Sequence, residues 1–208
     1  MQVFFVSGVD TNVGKTFVTH RLVQALQAKG VRSIALKPIE TGVEENGGAD
    51  SRIHLEDARN LFADFDLSCV NFFSFAPPCA PYVADCKNQI DIDLIIRKIA
   101  DLRGMVDVLF VEGAGGLFVP IKKDFFMYSF ASKLQEYFDA RTLLVCDDHL
   151  GMINRFLSAK FILDSLKLHS IFFVNVRQDD IFRKISLPFM QDYDFEMQIE
   201  ALIKNHIL

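Results

Sequence analysis

The 208-residue sequence has no tryptophan, only four cysteines, no surplus of positive charge and no long apolar run. Each shortage excludes something. Cys69, Cys79, Cys86 and Cys146 contain no Cys-x-x-Cys pair. That spacing argues against structural zinc and for reduced thiols in a cytoplasmic protein. The five histidines are scattered, with none paired at metal spacing. A net charge of −5 argues against broad binding to nucleic acid or to an acidic membrane surface. No apolar stretch approaches the length of a membrane span. The opening MQVFFVSG lacks a basic leader and a long apolar segment, so it reads as a strand and not as an export signal. Internal repeats and low-complexity tracts are also absent.

What is present is a globular composition, half hydrophobic and 24% charged. The length suits one domain, residues 1–208, with a sizeable core. The 21 phenylalanines are assigned to that core. Short apolar runs alternate with amphipathic segments. Strands are expected at 2–7, 32–37, 106–112, 141–147 and 170–176. Helices are expected at 15–29, 51–62, 91–102, 128–138, 153–166 and 194–205, with Asp91 as an N-cap and Gly30 as a stop. The loops at 43–48 and 75–82 read as connections within the domain. The alternation predicts an α/β fold: a mostly parallel sheet with helices on both faces.

In open α/β sheets, ligands bind beyond the carboxyl ends of the strands, so the residue closing each apolar run carries the information. The first strand runs into GVDTNVGKT, residues 8–16, and then into a helix. That is the setting of a phosphate-binding loop. Backbone N–H groups there can face phosphate oxygens, Lys15 can reach the outer phosphates, and Thr16 can ligate magnesium. Five residues separate Gly8 from Gly14, one more than the usual four. Lys37 ends the second strand in KPIETG, where it either snorkels to solvent or places a second cation beside the phosphates. Glu112 closes VDVLFVE, ahead of Gly113, Ala114, Gly115 and Gly116, which read as a turn open to a substrate. A carboxylate there can hold Mg²⁺. Asp50 is either an N-cap or a further magnesium ligand, with Glu44, Glu45 and Asp57 as competitors. The segment 147–154 reads as a strand-to-helix turn or a carboxylate site, and Asn175 as a structural or base-contacting amide.

GVDTNVGKT, KPIETG, VEGAGGLFVP and LGMIN, in this order and at these intervals, resemble dethiobiotin synthetases. Members of that family carry a first loop of the form Gly-x-Asp-Thr-x-Val-Gly-Lys-Thr, with the same additional residue. The resemblance covers about residues 2–176. It implies a P-loop fold and an ATP-dependent cyclo-ligase that joins CO₂ to the two amines of 7,8-diaminononanoate through a carbamate and a carbamic-phosphoric anhydride. The implied nucleotide contacts are Gly8, Asn12, Val13, Gly14, Lys15, Thr16 and Phe17, with Glu112, Gly115 and Asn175. The implied metal ligands for Mg²⁺ are Thr16, Asp50 and Glu112. Lys37, Lys15 and Thr11 are the implied catalytic groups. Thr11, Lys37, Thr41 and Gly115 would meet the substrate, along with Leu150, Gly151, Met152, Ile153 and Asn154 of a second subunit in a homodimer. Val9 stands where Thr is common in the family, and Asn12 where many relatives carry Glu. The chain after Asn175 is short and matches poorly, which leaves base selectivity open. A switch ATPase of the partitioning and cell-division class is the rival. Those proteins usually carry a lysine near the start of the loop, where this sequence has Gly8-Val9-Asp10, and often end in a basic helix, which EMQIEALIKNHIL is not.

Overall fold

The computed structural model describes residues 1–45 and 47–208, so position 46 of the 43–48 loop lies outside the described residues. The chain runs through β1 (Gln2–Gly8), α1 (Lys15–Gln27), β2 (Ser33–Leu36), β3 (Ile39–Thr41), α2 (Ala49–Arg59), α3 (Leu67–Val70) and β4 (Phe73–Phe75). It continues through α4 (Pro81–Ala84), α5 (Ile92–Asp101), β5 (Val108–Gly116), β6 (Pro120–Lys122), β7 (Phe125–Phe126) and α6 (Met127–Phe138). It closes with β8 (Arg141–Asp147), α7 (Met152–Ser165), β9 (Ser170–Asn175), α8 (Asp179–Ile185), α9 (Leu187–Met190) and α10 (Ile199–His206).

Five of the strands pair in parallel in the order β2-β5-β1-β8-β9. Side chains alternate across the pleat and sort onto two covered faces. Phe4, Val6, Phe110 and Val145 pack against Val18, Leu22 and Leu26 of α1 and Leu202 of α10. Phe5, Leu36, Val111 and Leu144 pack against Ile95 of α5, Phe130 of α6 and Phe156 of α7. Phenylalanine supplies the bulk that tryptophan would otherwise provide. Phe4 stacks on Phe110 at 5.4 Å, and Phe130 meets Phe5 edge-on at 5.5 Å. Among the described residues, no helix is long and apolar enough to cross a membrane.

The expected helices and strands form, with boundary shifts that have local causes. Asp91 caps α5 by accepting from the N–H groups of Asp93 and Leu94. The helix expected from 194 instead begins at Ile199. The Glu196 N–H donates to the Phe172 carbonyl at 2.9 Å, and the Val174 N–H donates to the Glu196 carbonyl at 2.8 Å. Open backbone groups on the outer edge of β9 therefore hold this stretch extended, and a strand edge outweighs helical periodicity. Gly113–Gly116 is not a turn. It continues β5, with an irregularity where Gly8 pairs with Gly116. Helices α8 and α9 occupy a stretch where the sequence pattern predicts none, anchored by buried Phe182 and Met190.

Candidate active site

The loop after β1 is held internally. The Asp10 carboxylate accepts from the Thr11 N–H at 2.7 Å, and the Lys15 ammonium donates to the Asp10 carbonyl at 3.1 Å. Val13 is fully buried, and its carbonyl accepts from the Asn175 amide at 3.0 Å, tying the loop to the end of β9. Gly14 sits at φ +97°, a left-handed conformation that L side chains rarely adopt, and there the chain turns into α1. The first N–H groups of α1 thus open onto the cleft above the sheet. Burial and the nearby Lys37 push the Lys15 ammonium down to about 8.

Beside this loop lies a buried ion cluster. Leu36 of β2 pairs with Val111 of β5, so Lys37 and Glu112 follow side by side. The Lys37 ammonium donates to Glu112 Oε1 at 2.6 Å, to Asp50 Oδ2 at 2.7 Å and to the Gly113 carbonyl at 3.3 Å. The Thr16 hydroxyl donates to the same Glu112 oxygen at 2.9 Å. His54 Nε2 meets the other one, Oε2, at 2.8 Å. Burial by itself would lower the Lys37 ammonium, but Glu112 and Asp50 overturn that and hold it above its ordinary range. Burial would likewise raise Glu112, but Lys37 and His54 hold it well below its ordinary value.

The signs define a pH window. A carboxylate held low stabilises the fold above its ordinary 4.5 and loses that contribution as pH falls through its folded value. An ammonium held high stabilises below its ordinary 10.5 and loses that contribution only as pH rises through its folded value. The cluster's contribution is therefore expected to be level between these limits and to fall outside them, as a pH series of thermal midpoints would show.

Asp50 is not an N-cap, because it lies inside the first turn of α2. The start of that helix is satisfied by Glu40 of β3, whose carboxylate accepts from the N–H groups of Asp50 and Ser51 at 3.0 and 3.2 Å. A side chain at Gly48 would overlap the Glu40 carboxylate where it stands, so Glu40 would have to move off these N–H groups to admit one.

Thr11, Asn12, Gly14, Lys15, Thr16, Lys37, Thr41, Asp50, Glu112 and Gly115 all line one cleft of about 470 Å³. Ala114, from the stretch expected to admit a substrate, lines it too, and Glu40 and Arg177, which no sequence pattern marked, complete it. Arg177 is exposed and donates to the Asn12 carbonyl at 2.9 Å. Phe17 is exposed and outside the cleft lining. Gly8, Val9, Asp10 and Thr11 line a neighbouring cleft of about 400 Å³ with Leu117, Phe118, Val119, Asn154 and Ser158. Thr11 therefore forms a wall between the two.

The segment 150–154 divides. Leu150 is 89% exposed, Gly151 turns at φ +87° into α7, and Asn154 faces the second cleft. Met152 is fully buried with its N–H bonded to the His149 carbonyl, and Ile153 packs against the core. The four cysteines are free thiols, with Cys146 in the core.

A parallel sheet with a Gly-Lys-Thr loop after β1 and a buried carboxylate, Glu112, within the neighbouring β5 defines a P-loop NTPase. A family model described as an AAA domain matches residues 2–195. The chain is 38% identical over 196 residues to the ATP-dependent dethiobiotin synthetase BioD of Sulfurovum sp. (strain NBC37-1), covering 91% of this chain and 90% of that one. It is 37% identical to the protein of that name from Helicobacter pylori (strain J99), covering 90% and 87%. The fold is shared with the MinD cell division protein of Aquifex aeolicus, with a TM-score of 0.56 over 99% of this chain and 85% of that one. At 16% identity this likeness shows the fold alone. The chain belongs to the dethiobiotin synthetase family.

Proposed function

We propose that the protein carboxylates 7,8-diaminononanoate with CO₂ and closes the ureido ring of dethiobiotin, at the expense of ATP, as one cytoplasmic domain acting in a homodimer. The observation that carries this reading is the convergence of Lys15, Thr16, Lys37, Asp50 and Glu112 on one cleft, in a chain of this family.

In the first step one neutral amine adds to CO₂ and releases a proton, giving a carbamate. Two nearby ammonium groups disfavour protonation of that amine. The carbamate oxygen then takes the γ-phosphoryl group, releasing ADP. Finally the second amine attacks the carbamoyl carbon and expels phosphate, which closes the ring. Lys15 and the N–H groups of the Gly14–Phe17 turn hold the phosphates, with Gly8, Asn12 and Val13 shaping the loop. Lys37 stays protonated because Glu112 and Asp50 hold it so, which makes it an electrostatic group for the transferring phosphoryl group and not a base. Thr11, Thr41 and Gly115 line the side where the carbamate would lie. Asn175 belongs to the base end.

Thr16, Asp50 and Glu112 would hold Mg²⁺. Asp50 and Glu112 already share the Lys37 ammonium, the Thr16 hydroxyl meets the same Glu112 oxygen, and all three are hard oxygen donors of the kind Mg²⁺ takes alongside phosphate and water. Only two are carboxylates. That is consistent with the absence, among the described residues, of any cluster of three His, Cys, Asp or Glu suited to a metal. When bound, the ion neutralises charge on the phosphates.

The apolar second cleft suits the aliphatic chain of the diamine, and Leu150–Asn154 of a partner subunit would cap its carboxylate. Full activity in a protein that sediments as a monomer at assay concentration would remove that role.

The defining test incubates the protein with Mg-ATP, labelled bicarbonate and the diamine. Acid-stable label in dethiobiotin is expected. ATP hydrolysis indifferent to the diamine, with no labelled product, would instead favour the switch ATPase.

Lys15 supplies a further prediction. Its depressed value means the free protein is less stable below about 8 and regains stability as pH rises toward 10.5. Phosphate restores the charge, so ATP binding at pH 8.5 is expected to take up a fraction of a proton, and at pH 6.5 almost none. Calorimetry in buffers of different ionisation enthalpy reads this directly, and Lys15→Met is expected to abolish the uptake.

A further inference from the structure

We infer that His54 is a positioning residue for Glu112, holding the carboxylate so that Oε1 faces the cation site. The inference rests on the proposed role of Glu112 in binding a divalent cation.

Helix α2 carries Asp50 and, four residues on, His54, which puts both on one helical face. Asp50 reaches the Lys37 ammonium and His54 reaches Glu112, so one helix grips both members of the central ion pair. The helix is itself pinned to α1 by His20 and Asp57 at 2.8 Å. His54 thus works from a fixed platform.

The two oxygens of Glu112 are treated differently. Oε1 accepts from Thr16 and Lys37, and Oε2 is met by His54. An ionised carboxylate only accepts, so the ring must donate through Nε2–H. The terminal torsion of a glutamate is otherwise broad. Without a donor on Oε2 the group is free to turn, and a buried oxygen loses its partner.

His54 is fully buried, and its other nitrogen, Nδ1, has no partner among the described residues. An apolar side chain would fill the same space without stranding a nitrogen. What it would lack is the donor for Oε2. The stranded nitrogen therefore marks a residue kept for what its other nitrogen does.

The test compares His54→Leu, His54→Gln and Glu112→Gln with the wild type. The probe is Mn²⁺, titrated by electron paramagnetic resonance in the presence of a non-hydrolysable ATP analogue. His54→Leu is expected to weaken Mn²⁺ binding about 10–100-fold, the range typical of groups that orient metal ligands. Metal-free nucleotide binding is expected to stay at the wild-type level, which also reports that the variant is folded. His54→Gln keeps an N–H donor and is expected to recover most of the affinity. Wild-type Mn²⁺ affinity in His54→Leu, with affinity lost in Glu112→Gln, would overturn the inference and leave the role of Glu112 standing. Equal losses in His54→Leu and His54→Gln would also overturn it, since the donor would then be irrelevant. Wild-type affinity in Glu112→Gln would remove the reading on which it rests.

Discussion

Alanine in place of Lys37 is expected to lower turnover by a factor on the order of 10²–10³, the usual effect of removing one preorganised donor from a developing charge. ATP affinity is expected to change far less, because Lys15 and the loop backbone remain. The same variant removes the main counter-charge of a fully buried carboxylate. Breaking a buried pair from one side costs roughly 3–5 kcal/mol, so the metal-free variant is expected to melt well below the wild type. Added Mg²⁺ is expected to recover part of that loss by returning a positive charge to Glu112. Steady-state kinetics, calorimetric ATP binding and melting with and without Mg²⁺ separate the three effects. Unchanged turnover would exclude Lys37 from the mechanism.

Glutamine in place of Glu112 is expected to reduce turnover at saturating Mg²⁺ by at least about 10²-fold, beyond the 10–100-fold typical of groups standing behind a metal ligand. At saturating ATP, where phosphate keeps Lys15 charged, it should also move the alkaline loss of turnover to lower pH than in the wild type. Burial lowers Lys37, and only its carboxylate partners reverse that. With Glu112 neutral, Asp50 alone opposes burial, and its side chain is 36% exposed and screened by solvent. The Lys37 proton then leaves at a lower pH, so residual activity is expected to fall on the alkaline side. An alkaline limb at the same pH as in the wild type would show that Glu112 does not hold Lys37 charged.

Much of this site was legible before any folding. The residues that follow the apolar runs, Lys15 and Thr16 across the first loop and Lys37 and Glu112 directly, do lie around one cleft, although β5 itself runs on to Gly116. The reason is local. A run covered on both faces must stop where the chain reaches water, and in a parallel sheet the carboxyl ends share one edge. Asp50 was legible only as one acid among several. His54, Glu40 and Arg177 carried no signal, because a histidine inside an amphipathic helix or a glutamate after a proline looks the same whether or not it meets a partner. The helix expected from 194 failed for a related reason: its periodicity was sound, but the edge of β9 offered backbone bonds that no local pattern reveals.

The sequence by itself determined the parallel α/β architecture, the phosphate-type loop and the set of strand-end residues, since each depends on neighbours a few positions away. The tertiary structure alone decided that Lys37 is clasped by Asp50 and Glu112, that His54 orients Glu112, and that the additional loop residue lies in a segment tied by Val13 to Asn175. Those contacts join residues 13 to 162 positions apart, and their geometry is set by strand register and helix docking, which only the packed core specifies.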